Sequence, residues 1–154
     1  MIASDLSKIE KKIHLRAPRD RVWRAITNIP EFCKWFGAET TGVFEPGARL
    51  QLTSTEESCK GLVFYMFIEQ MEPGRLFSWR WHPGVHHPEL DYYAEPTTLV
   101  EFRLEDADNG TLLTVVESGF TQLSLTRRAA VFGENDQGWE QQLKSLERYV
   151  GSAA

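Results

Sequence analysis

The stretch Phe77-Ser78-Trp79-Arg80-Trp81-His82 most restricts what this chain can become, because three large rings recur at every second position with polar residues between them. Successive side chains of an extended strand point to opposite faces, so this period gathers all three rings on one side. A sheet that is apolar on one face needs a cover. One later segment supplies it: in WEQQLKSLERYV, Trp139, Leu143, Leu146 and Val150 fall at helical spacing and form a narrow apolar stripe on an otherwise charged helix.

The remaining elements follow from the same periodicities. KIEKKIHLR alternates, with Ile9, Ile13 and Leu15 on the inner side and Lys11 as the single exception. APRDRVWRAI changes to helical spacing behind Pro18, and Pro30 ends that helix and opens a short second one that stops at Gly37. ARLQLTS and GLVFYMFIEQM have strand composition, and Pro73-Gly74 marks a turn before the strand of rings. TTLVEFRLE and TLLTVVESG flank DADNG, where Asn109-Gly110 signals a hairpin. Matching apolar faces sets Val100, Phe102 and Leu104 opposite Glu117, Val115 and Leu113, which puts Glu117 on the apolar face. LTRRAAVF reads as an earlier part of the C-terminal helix, with Gly133 and Gly138 marking a bend or a close backbone approach. No repeat or linker interrupts this order. The expectation is one α+β domain over residues 1–154: an antiparallel sheet of about six strands, two short helices after the first strand, and a long C-terminal helix.

Several function classes are excluded at this stage. The net charge is -5 and no basic run exceeds Arg127-Arg128, so a nucleic-acid partner is not expected. Cys33 and Cys59 lack metal or redox spacing and read as free thiols, and MIASDLSKIEKK carries charge where a secretion signal would be apolar. A cytoplasmic location follows as an expectation. The apolar run at 61–71 is about half of a membrane span, so stable membrane association is not expected. Neither a nucleophile elbow nor a phosphate-binding loop occurs, and no cofactor is expected. His82 and His86 are four apart, but Pro83 and Gly84 forbid a regular helix between them, and the side chains of His86 and His87 diverge. With Glu89 and Asp91 nearby, this loop reads as a solvated rim rather than a metal site, with His82 capping whatever lies beneath.

Aromatic residues make up 12% of the chain, including nine Phe and five Trp. Phe64, Phe77, Trp79, Trp81, Phe102, Val115 and Trp139 compete for the space under the last helix, with Trp23, Phe32, Trp35 and Phe36 near one end. Rings bury about 150–250 Å² each but interdigitate less finely than Leu or Val. Two outcomes remain open: a fully packed aromatic core, or a helix held off the sheet with a cavity between. An empty apolar void costs on the order of 24 cal/mol per Å³, so a cavity would persist only around a ligand or bound solvent. Glu117 on that face would be desolvated. It would serve as a structural or ligand-orienting carboxylate, as an acid/base group given a positioned partner, or as one half of a buried pair with a cation such as Arg80.

The segments IHLRAPRDRVWRAITNIPEFCKWFGAE, FEPGARL, MEPGRLFSWRWHP, AEPTTLVEFRLE, GTLLTVVESGF and GWEQQLKSLERYV resemble, in order and spacing, the START-like, polyketide-cyclase-like superfamily of helix-grip proteins. The branch is that of the activators of heat-shock-protein ATPase (AHSA-type), and the resemblance runs from about Ile9 to Val150. It implies a curved sheet gripping the C-terminal helix around a hydrophobic cavity. The function it implies is binding of a small hydrophobic or amphipathic ligand, lipid, aromatic or polyketide-like, by a carrier or sensor. A cyclase, dehydratase or hydrolase using Glu117 and a co-chaperone with a chaperone partner are the alternatives. Expected cavity residues are Trp23, Trp35, Phe36, Phe64, Phe77 and Trp79, then Trp81, Phe102, Val115, Glu117, Phe120, Trp139 and Leu143. Trp35-Phe36 is the expected lid, since a short helix ending in glycine can move.

Overall fold

In the computed structural model the chain is described over residues 7–83 and 96–152, apart from the side chains of Ser58 and Ser152. The elements in order are β1 (Lys8–Leu15), α1 (Arg19–Thr27), α2 (Ile29–Phe36), β2 (Ala38–Glu39), β3 (Arg49–Ser54), β4 (Val63–Glu72), β5 (Leu76–Trp81), β6 (Thr98–Ala107), β7 (Gly110–Ser118) and α3 (Leu125–Ser152). All the strands pair antiparallel in one sheet, ordered β1-β7-β6-β5-β4-β3-β2. The α+β helix-grip architecture is therefore present, with seven strands instead of about six. The extra strand is β2, whose two residues are too few to carry a period.

Register follows the apolar faces. Val100, Phe102 and Leu104 lie opposite Glu117, Val115 and Leu113, as expected. The hairpin turn itself is displaced by one residue: Ala107 pairs with Gly110, so Asp108 and Asn109 form the loop and Asn109 takes the positive φ of 61°. Gly110 has a different duty, since a Cβ there would collide with the Leu15 carbonyl of β1. Between β4 and β5 the pairing shifts from Ile68–Trp79 to Gln70–Ser78, leaving Glu69 in a bulge, where its carboxylate accepts from Arg80 Nε at 3.1 Å. Arg80 thus faces outward and does not neutralise Glu117.

The helix α3 lies across the sheet. Trp139, Leu143, Leu146 and Val150 are all buried, as their spacing requires. Lys11, the exception in the alternation of β1, points toward α3 and meets Asp136 at 3.1 Å and Glu140 at 3.3 Å. Burial works against its charge, but the two carboxylates outweigh that effect and hold the ammonium above its ordinary value. The helix runs unbroken through Gly133 and Gly138, and a Cβ at either would meet nothing within 4 Å. The expected close backbone approach is absent at both.

A charged cluster joins α1, α2 and α3. Asn28 caps α2 by accepting from the Glu31 amide at 3.1 Å. Glu31 then receives Arg21 at 2.7 Å, Arg24 at 2.8 Å and the Tyr149 hydroxyl at 2.9 Å. Burial pushes the Glu31 carboxyl up, but the bonds from Tyr149, Arg21 and Arg24 together overcome it and hold the group below the ordinary carboxylate range. A depressed carboxyl contributes stability that is complete above its unfolded value and is lost as pH falls through its folded value. Glu31→Gln should therefore cost about 1–2 kcal/mol at neutral pH and flatten the fall in stability on acidification, as read from urea midpoints across acid pH.

Candidate functional site

The rings expected to prop the helix off the sheet instead tile against one another. Phe77, Trp79 and Phe102 have no exposed surface, and Trp79 alone meets Phe32, Phe77, Trp81, Phe102 and Trp139 with ring centroids 5.2–6.4 Å apart. Edge-to-face and tilted contacts of this kind fill space that parallel rings would leave open. Trp23 sits edge-on to Phe77, Val115 is fully buried opposite Phe102, and Phe120 packs on Phe132. Leu143 faces the β1 side, near Lys11 and Ile13. Trp23, Phe77, Trp79, Phe102, Val115, Phe120 and Leu143 thus belong to the core or pack against it, and none of the seven lines the groove described next.

Open space remains at one end, where α3, the end of α2 and the β3–β4 connection meet. A groove of about 220 Å³ has an aromatic wall of Phe36, Phe64 and Trp81. Ser54, Glu56, Cys59, His82, Asn135 and Gln142 add polar atoms around it. A neighbouring lobe of about 170 Å³ shares Phe36, Trp81, Asn135 and Gln142 and reaches Trp139. Of the residues expected to line a cavity, four, Phe36, Phe64, Trp81 and Trp139, thus come together here. His82 also stands at this rim. His86, His87, Glu89 and Asp91 lie outside the described residues, and among the described residues no group of His, Cys, Asp or Glu has metal-binding geometry.

The end of α2 is fastened rather than hinged. Trp35 is buried and its indole donates to the Ala25 carbonyl at 2.8 Å. Ser145 Oγ donates to the Trp35 carbonyl at 2.6 Å, and Gln142 Nε2 donates to the Phe36 carbonyl at 2.8 Å. The expected Trp35-Phe36 lid is thereby tied to α3 by two bonds. Gly37 closes α2 in the left-handed conformation, with φ at 82°. A side chain at Gly37 would also displace Glu56, since an added Cβ would stand 2.5 Å from its Oε1.

Behind the groove lies Glu117, on the apolar face as the register requires and with no exposed surface. Its carboxylate accepts from Trp81 Nε1 at 2.9 Å, Trp139 Nε1 at 2.9 Å, Asn135 Nδ2 at 2.9 and 3.0 Å, and the Thr98 hydroxyl. Every partner is a donor, which suits a group that only accepts, and no cation is among them. Trp81 and Asn135 line the groove as well, so Glu117 meets it through these two intermediaries. Sequence reasoning missed Thr98, Asn135, Gln142 and Glu56. Asn135 was discoverable, since it stands one helical turn before Trp139 and so shares the inner face of α3.

Cys33 and Cys59 are free thiols. Burial pushes the Cys33 thiol up, which makes it a weak nucleophile. Cys59 Sγ lies 3.1 Å from Ser54 Oγ in the groove wall. Among the described residues no helix is long and apolar enough to cross a membrane.

A seven-stranded sheet wrapped on a C-terminal helix, with a groove at the open end, defines the helix-grip class. The chain belongs to the family described as "Activator of Hsp90 ATPase homolog 1-like protein", which matches residues 16–151. No curated protein matches the sequence significantly. Among solved structures, protein MLL2253 of Mesorhizobium loti is similar at 22% identity and a TM-score of 0.76, covering 96% of this chain and 98% of its own. The Aha1 dimer from Colwellia psychrerythraea gives 17% identity and a TM-score of 0.69, with 93% and 95% covered. DynU16, a protein of the dynemicin biosynthetic locus, gives 21% and 0.70, covering 96% of this chain and 48% of its own. At these identities the likeness is one of fold.

Replacing Glu117 by Gln keeps the shape but turns an amide NH₂ toward donors. The expected cost is about 2–3 kcal/mol in urea denaturation, with tryptophan emission shifted because one of the two indoles loses its acceptor.

Proposed function

We propose that this protein binds a small hydrophobic or amphipathic molecule, lipid, aromatic or polyketide-like, in the groove beside α3, and acts as a carrier or sensor. One observation carries the reading: ring packing closes the rest of the aromatic floor, yet the wall of Phe36, Phe64 and Trp81 is left open with polar atoms converging on it. An apolar recess with a few fixed polar groups is the usual form of a small-molecule site. Family membership supports a ligand-holding fold, and the place of DynU16 in a biosynthetic locus supports a small molecule as the occupant. Enzymatic use of Glu117 draws less support, because donors already occupy both of its oxygens. The test is a thermal-shift screen against lipids and aromatic metabolites. A ligand at 100 times its Kd adds about 2.7 kcal/mol, and Leu62→Trp, a larger side chain at a position that also lines the groove, should abolish the shift. A uniformly flat screen would remove the proposal.

The family description and the likeness to the Aha1 dimer favour a second reading, contact with a chaperone. An Hsp90-type chaperone whose ATPase rate rises on adding this protein would support it, and an unchanged rate would count against it.

A further inference from the structure

Two side-chain amides decide what the groove can recognise. Asn135 commits its Nδ2 to both oxygens of Glu117, at 2.9 and 3.0 Å. A flipped amide would set oxygen against oxygen, so the orientation is fixed and Oδ1 is turned away from Glu117 without a partner among the described residues. Gln142 commits its Nε2 to the Phe36 carbonyl at 2.8 Å, which leaves Oε1 buried and without a partner. Residues seven apart on a helix share a face and stand about 10.5 Å apart. Both amides therefore offer the groove an acceptor and withhold their donors.

Charge points the same way. Glu56 lies in the groove wall against Gly37, where a side chain would displace it. Among the described residues lining the groove and its lobe there is no Lys or Arg. Two guanidiniums flank the groove: Arg127 Nη2 lies 3.4 Å from the carbonyl of Pro83 in its wall, and Arg148 lines an adjoining recess with Glu56, Cys59 and Gln142. The faces of Phe36, Phe64 and Trp81 carry the negative side of the ring quadrupole, which attracts cations and repels anions.

On the reading that the groove is the ligand site, we infer that it selects a donor-bearing, cationic amphiphile: a primary or secondary amine on an aromatic or short apolar body. The apolar body lies on Phe36, Phe64 and Trp81, and the ammonium donates to the side-chain carbonyl of Gln142 or, further along α3, of Asn135, under the field of Glu56. Beside Glu56 and these two carbonyls, a carboxylate or phosphate head would lose water without gaining a donor from either amide.

Three probes with one ring system and different heads test this by titration calorimetry: naphthylethylamine, naphthylethanol and naphthylacetate. The amine should bind about tenfold more tightly than the carboxylate, with the alcohol between them. Glu56→Lys, at an exposed position, should weaken the amine and bring the carboxylate level with it or above it. Leu62→Trp should abolish binding of all three, which separates the groove from general attraction of amines to an anionic protein. Equal or tighter binding of the carboxylate to the unmodified protein would overturn the selectivity and leave the groove standing. Binding that survives Leu62→Trp, or no binding at all, would overturn the groove itself.

Discussion

A single buried carboxylate holds the two layers in register. Glu117, on β7, gathers donors from β5 through Trp81, from β6 through Thr98, and from α3 through Asn135 and Trp139. Taking a carboxylate out of water is costly unless its lone pairs are filled, and here they are filled by directional bonds from separate elements. Each bond fixes an angle as well as a distance. The indoles of Trp81 and Trp139, both aimed at the same group, are left stacked with centroids 5.9 Å apart and 28° between planes. Sliding α3 along the sheet would break two of these contacts at once, so the seat of the helix is set by Glu117 as much as by the apolar stripe beneath it.

Much of this was legible in the sequence, and the boundary of legibility is physical. Alternation placed Phe77, Trp79 and Trp81 together and put Glu117 among them, because a period of two needs no knowledge of the partner strand. The donors around Glu117 were not legible in the same way. Whether an indole N–H reaches a carboxylate depends on rotamers that packing chooses. Thr98 and Asn135 come from elements far apart in the chain. The strand β2 escaped because two residues carry no pattern, and the hairpin shifted by one residue because Gly110 is held by its contact with β1, which local turn chemistry does not contain. Lys11 broke the alternation of β1 for a reason the strand alone could not reveal, since its answering charges are on α3.

Ring size was a poor guide to whether the core closes. Rings that meet edge-on interlock more densely than their bulk suggests, and the Phe32–Phe77–Trp79–Phe102 block leaves no exposed surface. What decides the open end is the covering face of α3. Toward β1 and the middle of the sheet that face carries Leu143, Leu146 and Val150, side chains able to fill the layer. Toward the ends of β4 and β5 it carries Asn135, Gly138 and Gln142, with Trp139 drawn down to Glu117. A hydrogen atom at position 138 and two amides already bonded elsewhere cannot cover Phe36, Phe64 and Trp81. The groove is therefore specified by three helix positions rather than by an excess of rings, and two of them, Asn135 and Gln142, set side-chain amides beside the aromatic wall.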